Sequence, residues 1–251
     1  MRGLTRRPRA ILVDLDDTLI SDSADGEANW TYAVKGAAAF AAFPVEAVTA
    51  ALIREREWYF SDPERHRVGR LGLVNAYRQI VRAALVRAGV SESDRRDLEI
   101  AIVAAYRARA DSLRTPLPGA LDALAGLRDL GIRLALLTNG AAEPQRAKIE
   151  RFGLAAYFDA ILIEGELGAG KPEVRVYEEA MMRLGVRAQD AWMVGDNLDL
   201  DVIAPRRLGM RGLWISPTGV GAQDNDDADA VLRDLAAVLR LVRTLAPAEG
   251  D

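Results

Sequence analysis

The sequence has no cysteine and a single histidine, His66. Without thiols there is no disulfide framework, no thiolate nucleophile and no Cys-ligated zinc or iron–sulfur centre. One histidine excludes a metal site built on paired imidazoles and leaves a Ser–His mechanism one choice of base. Lysine is almost as scarce: Lys35, Lys148 and Lys171 stand beside 30 arginines among the 33 basic residues. No stretch approaches the roughly 18–20 uninterrupted apolar residues of a membrane span. The basic start MRGLTRRPR leads into an apolar run that meets Asp14, Asp16 and Asp17 before it reaches signal-peptide length, so a cytoplasmic location is expected. With a net charge of −4 and no basic face in the pattern, neither nucleic acid nor a membrane surface is an expected partner. The chemistry must therefore run on carboxylates, hydroxyls, amides and a few cations.

Half of the 251 residues are hydrophobic, ample for a packed core. AILVDL (10–15) is a short apolar run that reads as a buried strand. Between about 25 and 110 no strand pattern occurs; Ala-, Leu- and Arg-rich stretches near 30–42, 45–60, 70–88 and 93–110 predict four helices, with Ser91 as the N-cap of the last. Strand and helix patterns then alternate. IRLALLTN, FDAILIEG, AWMVGD and GLWIS read as strands, separated by helices over 119–130, EPQRAKIERF, KPEVRVYEEAMMRL and about 199–208. DADAVLRDLAAVLRLVRTLA closes the chain as an amphipathic helix. This order predicts an α/β protein: a Rossmann-like, mostly parallel sheet covered by helices, with an all-helical insert. The expected domains are a core of 1–21 with 112–251 and an insert of 22–111.

Ligands of such sheets bind at the carboxyl ends of the strands. Those ends carry Asp14 and Asp16, Thr138 and Asn139, Lys171 after a glycine-rich turn, and Asp196 followed by Asp199 and Asp201. The strand period of two places Asp14 and Asp16 on one side of the chain. Converging carboxylates repel unless a cation holds them, and an all-oxygen set with room for water and phosphate suits Mg²⁺. Taken singly, an Asp after a strand is a cap or turn residue, Thr138–Asn139–Gly140 a turn, and Lys171 a surface lysine. Their ordered placement at equivalent sheet positions gives them meaning as a set.

ILVDLDDTLI, LLTNG, GKPE and VGDNLDLD, in that order, resemble the four signature motifs of the haloacid dehalogenase-like hydrolases. The similarity runs over about 9–21 and 115–216, nearest to the helical-cap phosphatase branch. The resemblance implies that Asp14 is a nucleophile that becomes an aspartyl-phosphate and also binds Mg²⁺. It implies that Asp16 is the general acid and base and lends its backbone carbonyl to the metal. Thr138 and Asn139 would bind phosphate, Lys171 would neutralise nucleophile and phosphate, and Asp196 would ligate the metal. Asp201 would bind through water or orient Lys171, and Thr18 fits the first motif in a supporting role. The insert would be the cap and the substrate a small phosphorylated metabolite. Pro205 departs from the family, which has a small residue there.

GELGAGK (165–171) has P-loop spacing, but Pro172 stands where that motif needs Ser or Thr for Mg²⁺. DNDDAD (224–229) lacks the Gly and terminal Glu of an EF-hand and reads as a solvated turn plus helix cap. His66 reads as a surface residue, and Trp58, Tyr59 and Phe60 as core or rim of the insert. A phosphomutase or dehalogenase on the same scaffold, and an Asp-phosphorylated signalling receiver, are the competing readings. Asp16 argues against a dehalogenase, because a departing halide needs no acid, and the long insert argues against a receiver.

Overall fold

A computed structural model describes residues 4–22, 26–39, 42–219 and 227–248. The chain forms two compact units, Met1–Ser21 with Thr115–Asp251, and Asp22–Arg114. The division falls three residues later than the composition suggests, because the last helix of the insert continues to Leu113.

The first unit is built on six parallel strands in the order β3-β2-β1-β4-β5-β6. These are β1 (Ala10–Val13), β2 (Arg133–Thr138), β3 (Ala160–Ile163), β4 (Ala191–Gly195), β5 (Arg211–Ile215) and β6 (Ala230–Leu232). β1 lies at the centre, with Val13 opposite Leu136 on one side and Val194 on the other. Strands buried on both faces need no polar alternation, which is why AILV, LALL and WMV read as continuous apolar runs. Ile11, Val13, Leu134, Leu136 and Val194 pack on one face with Leu124, Leu127, Val238 and Val242 from two helices. Leu12, Leu137, Leu162 and Met193 pack on the other with Val176, Tyr177 and Leu184 from a third.

The helices, in chain order, are α1 (Gly26–Ala37), α2 (Val45–Ser61), α3 (Pro63–Leu71), α4 (Leu73–Arg87), α5 (Glu92–Leu113), α6 (Ala120–Asp129), α7 (Ala142–Arg151), α8 (Glu164–Leu167), α9 (Val174–Leu184), α10 (Ala204–Arg207) and α11 (Leu235–Thr244). Among the described residues the insert thus holds five helices where the sequence predicts four. α3 escapes the periodicity because it is polar and buries only Gly69. It starts where a helix can start: the Asp62 side chain accepts from the Arg65 N–H at 2.8 Å, and Pro63 occupies the first turn. The insert has its own core around Trp30, Val34, Leu52, Ile80, Leu85, Leu98 and Ile102. Tyr59 belongs to it, Trp58 is exposed beneath the Arg65 guanidinium, and His66 is exposed and edge-on to Phe60. Ser91 holds the N-cap position of α5, but its hydroxyl bonds Asp94 and Ser93, and no cap hydrogen bond is made.

Three expectations in the last quarter of the chain are corrected. The single closing helix is a strand, β6, then α11, whose cap is Asp234 accepting from Ala237 at 2.7 Å. The DNDDAD run is not a solvated turn at its end: Asp229 is buried, accepts from Gly212 N–H at 2.9 Å and pairs with Arg206 and Arg211. Residues 224–226 of that run lie outside the described residues. The expected helix over 199–208 is a π-helical turn, Leu198–Ile203, running into α10, with buried Pro205 in the first turn of that helix. A proline is tolerated there because no intrahelical bond needs its missing N–H.

Candidate active site

In a sheet of this order the chain reverses direction of travel between β1 and β4, which opens a crevice at their carboxyl ends. Asp14 follows β1 and Asp196 follows β4, so the sheet delivers one carboxylate to each lip. The Asp14 N–H is bound to the Val194 carbonyl at 3.0 Å, which extends the pairing of the two strands by one residue.

Lys171 is buried and reaches both Asp14 Oδ1 at 2.6 Å and Asp201 Oδ1 at 2.7 Å. Its position is set by Asn139, whose amide forms two bonds with the Lys171 backbone: Nδ2 donates to the carbonyl and Oδ1 accepts from the N–H, each at 2.8 Å. Asn139 thereby clamps the loop before α9 to the end of β2. The glycines around Lys171 follow from crowding rather than from phosphate. A Cβ on Gly170 would stand 2.6 Å from Glu164 and 2.8 Å from Asn139, and one on Gly165 would stand 2.5 Å from the Ala142 nitrogen. Buried Glu164, at the start of α8, accepts from Gly140 N–H at 2.8 Å and ties α8 to the turn after β2.

Asp201 is wholly buried, with its second oxygen accepting from Asn197 N–H at 3.1 Å. Asp14, Asp196 and Asp201 each offer an oxygen within 4.8 Å of the others, an arrangement that could hold a metal ion. Three carboxylates beside one ammonium leave excess negative charge. Burial pushes the Asp14 carboxyl up to about 6, against the pull of Lys171. Burial, reinforced by Asp14 and Asp201, pushes Asp196 up to about 8. Burial alone would lower Lys171, but Asp14 and Asp201 outweigh it and hold the ammonium charged. A divalent cation would relieve the remaining repulsion, and the all-oxygen donor set fits Mg²⁺.

Asp16 lies elsewhere in the site. The period of two does not continue past Val13: the chain turns, Asp17 has φ 56°, and its N–H bonds the Ile20 carbonyl at 2.7 Å. Asp16 Oδ1 meets Lys148 Nζ at 2.7 Å, and Oδ2 accepts from Gln145 Nε2 at 3.0 Å. Gln145 also donates to Thr138 Oγ1 at 2.5 Å and to the Asn139 carbonyl at 2.8 Å. Thr18 is buried in the turn after β1, and its hydroxyl has no hydrogen-bond partner. Asp199 and Arg175 are exposed.

Sequence reasoning missed Gln145 and Lys148. Their signals were present: a lysine in an arginine-rich chain, three residues after a glutamine, on the helix that follows Thr138–Asn139. It also missed Trp214, whose indole N–H holds the Asp196 carbonyl at 2.7 Å, and Tyr177, whose hydroxyl donates to the Leu200 carbonyl at 2.5 Å.

The haloacid dehalogenase-like hydrolase family matches this chain over residues 8–209, and the chain belongs to that family. A phosphoserine phosphatase of Thermus thermophilus is 35% identical over 228 residues, covering 82% of this chain and 88% of that one. A glyceraldehyde 3-phosphate phosphatase of Methanopyrus kandleri is 36% identical over 113 residues, 45% of this chain and 48% of that enzyme. Among solved structures, a 2-haloacid dehalogenase of Pseudomonas syringae superposes with a TM-score of 0.63 at 26% identity, covering 94% of this chain and 99% of that one. The protein is therefore an enzyme of a hydrolase family whose curated relatives include phosphatases. Among the described residues, no helix is long and apolar enough to cross a membrane.

Proposed function

We propose that this enzyme hydrolyses phosphate monoesters of small metabolites through an aspartyl-phosphate on Asp14, with Mg²⁺ as its metal. The observation that carries the reading is the buried Asp14–Lys171–Asp201 chain, completed by Asp196 at the opposite lip. The metal would be held by Asp14, Asp196 and the Asp16 backbone carbonyl. When bound, it supplies charge neutralisation for a dianionic phosphoryl group. The 22–114 unit acts as the cap of this family.

Each step has a group on the chain. A carboxylate oxygen of Asp14 attacks phosphorus as the ester P–O bond breaks, and the Asp16 carboxylic acid gives its proton to the leaving alkoxide. Thr138, Asn139 and Lys171 hold the phosphoryl oxygens, the last supplying fixed charge in a buried setting. Water then attacks phosphorus, Asp16 takes its proton, and the bond from phosphorus to the Asp14 oxygen breaks to release phosphate. Asp201 keeps Lys171 aligned.

A haloacid dehalogenase would need neither an acid for its leaving group nor the Lys148–Asp16 pair. A receiver would be phosphorylated once and stop. Steady-state assays with p-nitrophenyl phosphate and a panel of phosphometabolites in Mg²⁺, alongside 2-chloropropionate, test the reading. Many turnovers of phosphate release are expected. Halide release without phosphate release, or one turnover per enzyme, would overturn it.

A further inference from the structure

An acid–base group must stand at a fixed place relative to the phosphorus, yet Asp16 lies beyond the strand that fixes Asp14. β1 ends at Val13, and the left-handed backbone of Asp17 turns the chain away. Its carboxylate is gripped from α7 instead, Lys148 on one oxygen at 2.7 Å and Gln145 on the other at 3.0 Å. The two donors are three residues apart and so share one face of the helix. Gln145 is buried, and its side-chain nitrogen faces the Asp16 carboxylate, the Thr138 hydroxyl and the Asn139 carbonyl. A carboxylate and a carbonyl only accept, so the NH₂ end must point there. Lys148 is itself only 11% exposed along its side chain. In a chain that uses arginine for 30 of its 33 basic residues, lysine has a reason at this point. A guanidinium would claim both carboxylate oxygens, whereas an ammonium takes one and leaves the other to Gln145.

We propose that Lys148 and Gln145 are the positioning residues of the Asp16 acid–base, and that Gln145 couples it to the phosphate-binding hydroxyl of Thr138. The inference rests on the reading of Asp16 given above. It predicts a loss that depends on the leaving group, because only a poor leaving group needs the acid in the first step. The full-length protein in Mg²⁺ is compared as wild type, Lys148→Met, Asp16→Asn and the double variant. Enzyme is in excess over p-nitrophenyl phosphate or phenyl phosphate, which differ in leaving-group basicity. For Lys148→Met, p-nitrophenolate release stays within about threefold of wild type and phenol release falls by about tenfold or more, a fraction of what general acid catalysis is worth. Apparent affinity for both esters is retained, and the double variant is no slower than Asp16→Asn, as expected of residues acting as one unit. If Lys148→Met does not fold, Lys148→Gln serves the same comparison.

Equal loss for both esters, weakened affinity, or losses that multiply in the double variant would overturn the proposal, giving Lys148 a structural or substrate-contacting role. Asp16→Asn separates the two levels. If it fails to discriminate between the esters, the acid–base reading of Asp16 is wrong. If it discriminates and Lys148→Met does not, only the positioning role is wrong.

Discussion

Lys171 sits where two carboxylates could not otherwise be neighbours, with its ammonium within 2.7 Å of both. Replacing it with alanine leaves Asp14, Asp196 and Asp201 facing the dianionic phosphoryl group of the proposed reaction, and lost charge stabilisation of this kind costs about 10²–10³-fold in kcat. Arg175 is exposed at the second position of α9, and Arg175→Ala should leave kcat/KM nearly unchanged. Steady-state kinetics on the two variants check the contrast, and comparable losses would contradict it. Asp14 and Asp16 should separate just as cleanly. Asp16→Asn keeps size and backbone but can neither give nor take a proton, so kcat for an alkyl phosphate should fall by about 10²–10⁴-fold. With p-nitrophenyl phosphate the first step survives and the second stalls, so a burst of p-nitrophenolate and acid-stable label on Asp14 are expected. Asp14→Asn should show neither burst nor label, because an amide is no nucleophile. Label in Asp14→Asn and none in Asp16→Asn would reverse the two assignments, and label in both would remove Asp14 as the nucleophile.

At the scale of elements, β4 and the π-helical turn after it are packed too closely for a side chain at Gly195. A Cβ there would lie 2.2 Å from Asp201 Oδ2. Gly195→Ala should therefore displace Asp201 and with it Lys171, lowering stability by about 1–3 kcal/mol as overpacking does and reducing kcat together. A thermal melt read beside an activity assay checks both; a stable, fully active variant would show that the turn can yield. In the insert, α4 and α5 are joined through Glu99, which is 2% exposed and accepts from Arg78 at 2.6 Å and Arg82 at 2.8 Å. Burial opposes its charge, but the two guanidinium groups outweigh that and hold its carboxyl below the ordinary value of 4.5. A depressed native pKa means stabilisation that is complete above the unfolded value and lost as pH falls through the native one. Glu99→Gln should thus lower stability at pH 7 by the about 1.5–3 kcal/mol typical of hydrogen bonds to a charged group, read as a lower Tm, and the gap from wild type should close at acidic pH as the wild-type carboxyl is protonated. A gap independent of pH would show that packing, not charge, joins the two helices.

At the scale of the whole molecule, the sheet order puts segments distant in sequence at one edge. Asp14, Thr138, Lys171 and Asp196 each end or follow a different strand or loop, and none contacts another through local sequence. The site that results is rich in oxygen and poor in cations, and its metal dependence should follow the coordination habits of the ion. Mg²⁺ should restore activity after chelation. Ca²⁺, with longer bonds and six to eight flexible ligands, should bind Asp14 in a bidentate way that spoils attack and so inhibit. Phosphate-release assays with each metal check this, and full activity after exhaustive chelation would remove the metal from the reading.

Much of this was legible in the chain itself. Buried strands must be apolar on both faces, so AILV, LALLT and WMVG announced a covered parallel sheet. The polar residues at their ends announced an edge with chemistry, because nothing else places Asp14, Thr138 and Asp196 at equivalent positions. The absence of cysteine and the single histidine excluded whole classes of mechanism before any geometry was known. Local patterns were silent where tertiary contacts decide. β6 is three residues long and reads as helix because its apolar residues continue into α11. α3 buries almost nothing and so carries no periodic signal. Asp14 and Asp16, two apart in sequence, meet different partners because strand geometry stops at Val13 and a left-handed residue turns the chain. Which of three lysines faces which carboxylate depends on helices that pack from elsewhere. Lys171 was legible from its motif; Lys148 became a partner of Asp16 only when α7 docked beside the turn after β1, a contact between positions 132 residues apart.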